Sequence, residues 1–488
     1  MNHELDERSR AVLEKLTDLR RSDAPTHGGH VLSYVYDSGL AELDALAREA
    51  AAAVQSLNAL DPTTFPSIAS MERDVVGFAR TMLHGDDDVV GSVTSGGTES
   101  CLLAVKTARD LRNAAGRHAG TPTIVAPSTV HAAFGKAAHY FGLELVRVPV
   151  GPDGVVSADA IADAIDDRTA LVVVSAPSYP FAAMDPVTDV ARIATDHGLP
   201  CHVDACIGGW VLPWWGHEVA PWDFRVPGVT SISADAHKYG YAPKGASILL
   251  HRGRDRQAAQ FFATTDWPGY PVVNPTMLGS RSAAPLAATW AITQRLGPDG
   301  FARLAERCRR ATGSLVHLIE GIEGLRVVGR PTGPLLAVAT DESVAADRRV
   351  DPHHWADEAR DLGWVLQPQP SYVQSNGSRL PSTTHLTVTP VTESVLPDLA
   401  GTLAEAADLV RGVGPASAAD ALGSLPADVF AGPTLDAATA DALLAALGLG
   451  GDAPLPPRLA PVMALIEAAP RTLAERLLVA LFAGLSTP

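Results

Sequence analysis

An α/β fold built on a mostly parallel sheet is what this chain predicts, and three observations carry the prediction. At 488 residues it can bury a large core and form two or more domains. Its hydrophobic share is 46%, that of a globular protein. Short apolar, β-branched runs then alternate with helix-patterned stretches between about residues 123 and 251. That order yields a parallel sheet whose ligands gather at strand ends.

Taken in order, residues 1–65 read as a helical N-terminal segment feeding into the active site. Residues 66–310 read as the large domain, with strands near 123–126, 145–149, 171–175, 201–205, 229–234 and 246–251. A helix rich in Arg and Ala, Phe301–Ile322, leads into a smaller C-terminal α/β domain, 311–412. Residues 413–488 turn rich in Ala, Gly and Pro and read as a helical extension. Within it Gly450-Gly451-Asp452-Ala453-Pro454 marks a loop. Arg471–Phe482 is amphipathic and is expected to pack on a dimer rather than on a membrane.

Charge and cysteine usage exclude several classes. A net charge of −17 argues against sequence-independent nucleic-acid binding and against adsorption to anionic membranes. The four cysteines (Cys101, Cys201, Cys206, Cys308) form no CxxC pair and read as reduced, buried thiols of a cytoplasmic protein. Cys201, His202 and Cys206 match no zinc spacing, so no metal is expected. His353 and His354 precede Trp355 at a helix start and read as surface residues. The charged start Met1–Asp6 lacks the apolar core of a signal peptide, and no run approaches the ~20 apolar residues of a spanning helix.

Three segments carry chemistry. Ser233-Ala234-Asp235-Ala236-His237-Lys238-Tyr239-Gly240-Tyr241-Ala242-Pro243-Lys244-Gly245 follows a buried-strand pattern, placing a His-Lys pair where a strand ends. A lysine there suits an imine with a carbonyl cofactor, because burial and cationic neighbours favour the free amine. Thr94-Ser95-Gly96-Gly97-Thr98-Glu99-Ser100 opens a helix running from about Cys101 to Ala114. Free N–H groups at such a start favour a phosphate, although an ordinary N-cap at Thr98 would look the same. His202-Val203-Asp204-Ala205-Cys206 reads as a short strand carrying an acid inward. A buried carboxylate needs a positive partner, and a protonated pyridine nitrogen is one. His131 could add a flat face over such a ring. Together the segments point to pyridoxal 5'-phosphate.

These segments, with Val130–Gly142, Thr265-Asp266-Trp267, Gly279-Ser280-Arg281 and Thr384–Thr389, closely resemble the sphingosine-1-phosphate lyase family. That family lies in the group II decarboxylase branch of the fold-type-I pyridoxal phosphate enzymes. The resemblance covers roughly residues 28–412 and is to the soluble bacterial type. It implies a mostly parallel sheet of seven-stranded type flanked by helices, a smaller α/β domain, and a homodimer with shared active sites. It implies that Lys238 carries the cofactor, Asp204 pairs with the pyridine nitrogen and His131 stacks on the ring. Gly96, Gly97, Thr98 and His237 would hold the phosphate, with Ser280 reaching in from the partner subunit. Lys244 and Tyr36 match substrate-site residues.

Three positions depart from the family's pattern. Asp61 and Phe181 stand where the lyases carry histidine, and Val272 where they carry tyrosine. A carboxylate at 61 would repel a substrate phosphate. The activity implied is retro-aldol cleavage of a β-hydroxy amine, possibly phosphorylated, to an aldehyde and a smaller amine. The alternatives are an amino-acid decarboxylase, in which Asp61 would bind a basic side chain, and a non-catalytic cofactor-binding protein. Asp61 could instead pair with His27 or His30 and only brace the pocket.

Overall fold

The computed structural model describes the chain except residues 1–5, 118–119, 217, 424–435, 447–448, 450–457 and 486–488. The loop expected at Gly450–Pro454 lies outside the described residues. Helices α1 (Glu7–Leu19), α2 (Ala41–Ala53) and α3 (Pro66–Met82) precede the first strand. The large domain then runs β1 (Val89–Thr94), α4 (Gly97–Ala114), β2 (Thr123–Pro127), α5 (Ala132–Phe141), β3 (Glu144–Val148), α6 (Ala158–Ala164) and β4 (Thr169–Ser175). It continues with α7 (Val187–Asp196), β5 (Cys201–Asp204), β6 (Val229–Ala234), β7 (Ser247–Arg252) and α8 (Arg254–Ala258). A hairpin follows, β8 (Phe262–Thr264) and β9 (Val272–Asn274).

Seven strands form one sheet in the order β1-β7-β6-β5-β4-β2-β3. β7 runs antiparallel to both neighbours, and the pairs among β2 to β6 are parallel. Six of these strands were legible as apolar runs; β1, with Gly91 and Ser92 in its middle, was not. β4 is buried along its whole length, as a strand covered on both faces must be. Its side chains alternate between two cores. Leu171 and Val173 pack with Val105 and Phe134 on one face, and Val172 and Val174 pack with Val190 on the other.

Register sets the position of the site. Ser175 on β4 pairs with Asp204 on β5, which pairs with Ser233 on β6. The three carboxyl ends therefore finish level, and the chain leaving each one turns into the same crevice.

The long helix α9 (Ala284–Glu320) bends at Gly297, whose φ of +56° suits glycine, just before Pro298. It thus starts well before the Phe301 expected from sequence, and it passes without interruption through residue 310. The smaller domain adds β10 (Leu325–Val327), β11 (Leu335–Thr340), α10 (Pro352–Asp361), β12 (Gln367–Gln369), β13 (Tyr372–Val373), β14 (Arg379–Leu380), β15 (Thr383–Thr387) and α11 (Thr392–Val410). Its antiparallel sheet, β10-β11-β15-β12, shares a core with the end of α9 through Leu315, Leu336, Trp355, Leu386 and Leu403.

Contrary to the surface reading, His353 is buried and its Nε2 lies 2.9 Å from the carbonyl of Gln369. The proline at N1 of α10 and the Asp351 cap set His353 in the first turn, which faces β12. Helices α12 (Ala419–Gly423), α13 (Ala437–Ala446), α14 (Ala460–Ala468) and α15 (Arg471–Gly484) close the chain. Leu473 and Leu477 of α15 are buried, whereas Val479 and Phe482 are exposed. Among the described residues no helix is long and apolar enough to cross a membrane.

Candidate active site

A cavity of about 340 Å³ opens at the ends of β4, β5 and β6. Gly96, Gly97, Thr98, His131, Asp204, His237 and Lys238 all line it, so seven residues expected from sequence meet in one place.

The start of α4 forms one wall. Its N-cap is Gly96, not Thr98, and no side chain caps the first turn. The orphan N–H groups there are left for a ligand. Glu99 braces the turn instead: Oε2 accepts from Ser95 N at 2.5 Å and Oε1 accepts from Met277 N at 2.6 Å. A Cβ on Gly97 would lie 2.5 Å from Asp235 Oδ2 and 2.8 Å from Cys206 Sγ. Only glycine fits where the helix start meets the far wall.

That far wall is the segment after β6. Lys238 Nζ lies 2.9 Å from Asp235 Oδ2, and His237 Nε2 lies 3.7 Å from the same oxygen. Burial alone would raise the Asp235 carboxyl, but the Lys238 and His237 charges outweigh it and hold the group below its usual range. Burial likewise acts to lower the Lys238 ammonium, yet Asp235 prevails and pushes it above the ordinary lysine value. Tyr239 fixes the segment to the small domain: its hydroxyl is 2.9 Å from the carbonyl of Val388 and 3.2 Å from that of Pro334.

Asp204 ends β5 with Oδ1 accepting from Cys206 N at 3.1 Å. Behind it His202 is held by Ser231 at 2.8 Å and Ser233 at 3.2 Å, and burial drops its pKa to about 4, so it stays neutral. His131 caps α5, its Nδ1 accepting from Ala133 N at 3.2 Å.

The expected substrate residues sit outside this lining. Lys244 Nζ lies 4.6 Å from the Tyr36 ring centre and donates to the carbonyl of His237 at 3.2 Å. Burial, then the charge of Lys238, lowers Lys244 to about 8. Burial raises the Tyr36 hydroxyl to about 12. Asp61 is tied up locally by Thr63 (N at 2.9 Å, Oγ1 at 2.5 Å) and by Thr64 Oγ1 at 2.6 Å, which lowers it to about 2. The bracing by His27 or His30 does not form. His27 lies 3.6 Å from Asp37, and His30 stacks on Trp364. Ser280 takes a hydrogen bond from Asn58 Nδ2 at 3.0 Å, outside the cavity of its own chain. Beside it Arg281 donates to the carbonyls of Ala59 and Val93, pinning that segment to β1. Phe181 is buried, and Val272 lies on β9.

Sequence reasoning gave no role to Asp235, although it stands three residues before Lys238 in the quoted motif. The signal was an acid ending a buried strand, the same signal that singled out Asp204. Tyr179 was also missed. It lines the cavity with its ring stacked 4.2 Å from that of His385 on β15, and no local pattern announces that contact.

The residues fit pyridoxal phosphate. An uncapped helix start offers donors to an anion, and Asp204 can face a pyridinium. Asp235 Oδ1 and His237 Nδ1 are buried in the lining without partners among the described residues. Asp204, Cys101 and Cys206 also have ligand atoms within 4.8 Å of one another. The Cys206 thiol, hydrogen-bonded to Cys101 and buried, is pushed well up, which keeps it protonated and opposes metal binding.

This constellation defines a pyridoxal phosphate enzyme, and the family comparison agrees. Residues 26–327 match the model "Pyridoxal-dependent decarboxylase conserved domain", and the chain belongs to that family. Residues 388–484 match "Pyridoxal-dependent enzyme, C-terminal putative HTH domain". The cofactor is pyridoxal 5'-phosphate. Within the family the chain belongs with the sphingosine-1-phosphate lyases. It is 38% identical over 335 residues to sphingosine-1-phosphate lyase 1 of Mus musculus, covering 68% of this chain and 58% of that protein. It is 33% identical over 411 residues to the sphingosine-1-phosphate lyase of Arabidopsis thaliana, covering 82% and 72%. The solved structure of Burkholderia pseudomallei sphingosine-1-phosphate lyase matches with a TM-score of 0.76 and 33% identity, covering 84% and 94%. The chain thus spans 58% of the length of the mouse relative.

The segment matching the helix-turn-helix model carries four basic residues, Arg411, Arg458, Arg471 and Arg476. Arg458 is already paired with Glu358 and Asp361.

Proposed function

We propose that this protein is a carbon–carbon lyase that cleaves a β-hydroxy amine to an aldehyde and a smaller amine. The observation that carries the reading is the complete block from Asp235 to Lys244. It places Lys238 and its counter-ion Asp235 in the cavity and ties the cation Lys244, outside that lining, to the carbonyl of His237.

Bound pyridoxal phosphate supplies an electron sink for the charge left at the substrate's Cα. The protein's part is placement and proton handling. The start of α4 and His237 would hold the phosphate, Asp204 would keep the ring nitrogen protonated, and His131 would cover one face. Lys244, next to Tyr36, would anchor an anionic end of the substrate, and that remote binding orients the bond to be broken. Cleavage moves the hydroxyl proton off oxygen, turns Cβ into the aldehyde carbon, and returns one proton to Cα. Lys238 Nζ is the carrier we assign for that last proton.

We propose that Asp61, ionised near neutral pH, borders the substrate path and disfavours a second anion there. A substrate less anionic than a long-chain base phosphate follows from that. We also propose a homodimer in which Ser280 completes the partner's site. In support, the segment around Ser280 exposes Phe262, Trp267, Tyr270, Val273 and Met277. Residence in the cytoplasm accords with four free, buried thiols.

The test is to incubate the cofactor-loaded protein with phosphorylated and unphosphorylated β-hydroxy amines and with amino acids, assaying aldehyde and carbon dioxide. Aldehyde release supports the reading. Carbon dioxide without aldehyde would replace it with the decarboxylase alternative, for which no residue in the cavity argues specifically.

A further inference from the structure

A second cavity, about 470 Å³, lies at the opposite ends of the strands, where β4, β5 and β6 begin and α4 ends. Three arginines line it: Arg112 and Arg117 from the end of α4, and Arg256 from α8. Among the described residues no lining side chain is acidic, although the chain carries 55 acidic residues against 38 basic ones.

The arginines are not equivalent. Arg112 is committed to the structure, donating to the carbonyls of Arg117 and Asp167 at the helix end. Arg117 is exposed and forms no ion pair among the described residues. Arg256 is half-buried, its Nε lies fully buried without a hydrogen-bond partner, and it too forms no ion pair. Burial lowers its pKa, and no carboxylate opposes the effect. A guanidinium withdrawn from water without a counter-ion is costly, and an anion in the cavity removes that cost. Two planar forks match the oxygens of a phosphate better than a single charge. Leu111, Leu199 and Pro227 supply an apolar wall beside them.

We propose that this cavity binds a small phosphate-bearing amphiphile, with its phosphate on Arg117 and Arg256 and its apolar body along Leu111, Leu199 and Pro227. The site is separate from the cofactor cavity; α4 begins at one and ends at the other.

Hexyl phosphate is the probe, titrated calorimetrically into cofactor-loaded protein fixed by borohydride. The protein carries Lys244→Ala, which removes the phosphate anchor of the substrate region. Saturable binding is expected. It should be tighter than for inorganic phosphate, and at least tenfold weaker when Arg256→Gln or Arg117→Gln is added. Arg117 is exposed, so its substitution leaves the packing intact. No saturable binding, or binding that neither substitution weakens, would overturn the proposal. So would an Arg256→Gln protein that melts earlier yet binds as before, because the arginine would then serve only the helix ends.

Discussion

Lys238 and Asp235 form a buried ion pair, Nζ to Oδ2, at 2.9 Å. Asp235 is 1% exposed and its Oδ2 also lies 3.7 Å from His237 Nε2, so one carboxylate faces two neighbours in the cavity. It holds Lys238 as an ammonium, and only the neutral amine can attack a carbonyl.

Asp235→Asn should therefore ease deprotonation of Lys238. The pH at which cofactor-free protein half-maximally captures pyridoxal phosphate is expected to fall by at least about one unit, which corresponds to ~1.4 kcal/mol. Visible absorbance during a pH series measures it. An unmoved midpoint would mean that Asp235 does not set the charge of Lys238.

Gly97→Ala should empty the site without unfolding the chain. The new Cβ would stand 2.5 Å from a carboxylate oxygen that the ion pair holds in place, so the two walls must part. Cofactor affinity is expected to fall at least tenfold, with circular dichroism unchanged. Gly313→Ala on α9 is the control. Nothing lies within 4 Å of its Cβ position, so it should leave affinity alone and stabilise by about 0.5–1 kcal/mol.

Lys244 gives the pH dependence. Its folded pKa of about 8 lies below the free lysine value, so the ammonium is present below pH 8 and is lost as pH rises through it. KM for an anionic substrate should climb several-fold between pH 7 and pH 9. Lys244→Arg should keep KM low across that range, and Lys244→Ala should make it high and flat. A KM insensitive to pH in the wild type would remove Lys244 from the substrate site.

Much of this was open to sequence reading because buried strands announce themselves locally. β2 and β4 to β7 are short apolar runs, and the ends of β5 and β6 carry the acids and the lysine. β1 escaped because its Gly91 and Ser92 break the apolar pattern; it is glycine there because a Cβ would lie 2.5 Å from the carbonyl oxygen of Leu249 on β7. His353 was misread for a similar reason, since burial of a polar residue depends on an acceptor on another element, Gln369. The cofactor half of the site came from three compact motifs. Tyr179, resting on His385 more than two hundred residues away, could be found only once the two domains were seen together. Asp61 stands out by position, whereas the turn that holds it through Thr63 and Thr64 leaves no mark in a spacing argument.

The measurement that tests the account most directly is borohydride reduction of the cofactor-loaded protein, followed by peptide mapping of the fixed adduct. A single pyridoxyl adduct is expected on Lys238, the one lysine among the described residues that line the cavity, with no adduct and no turnover in Lys238→Ala. An adduct on Lys244, Lys136 or Lys106, or full activity in Lys238→Ala, would contradict it.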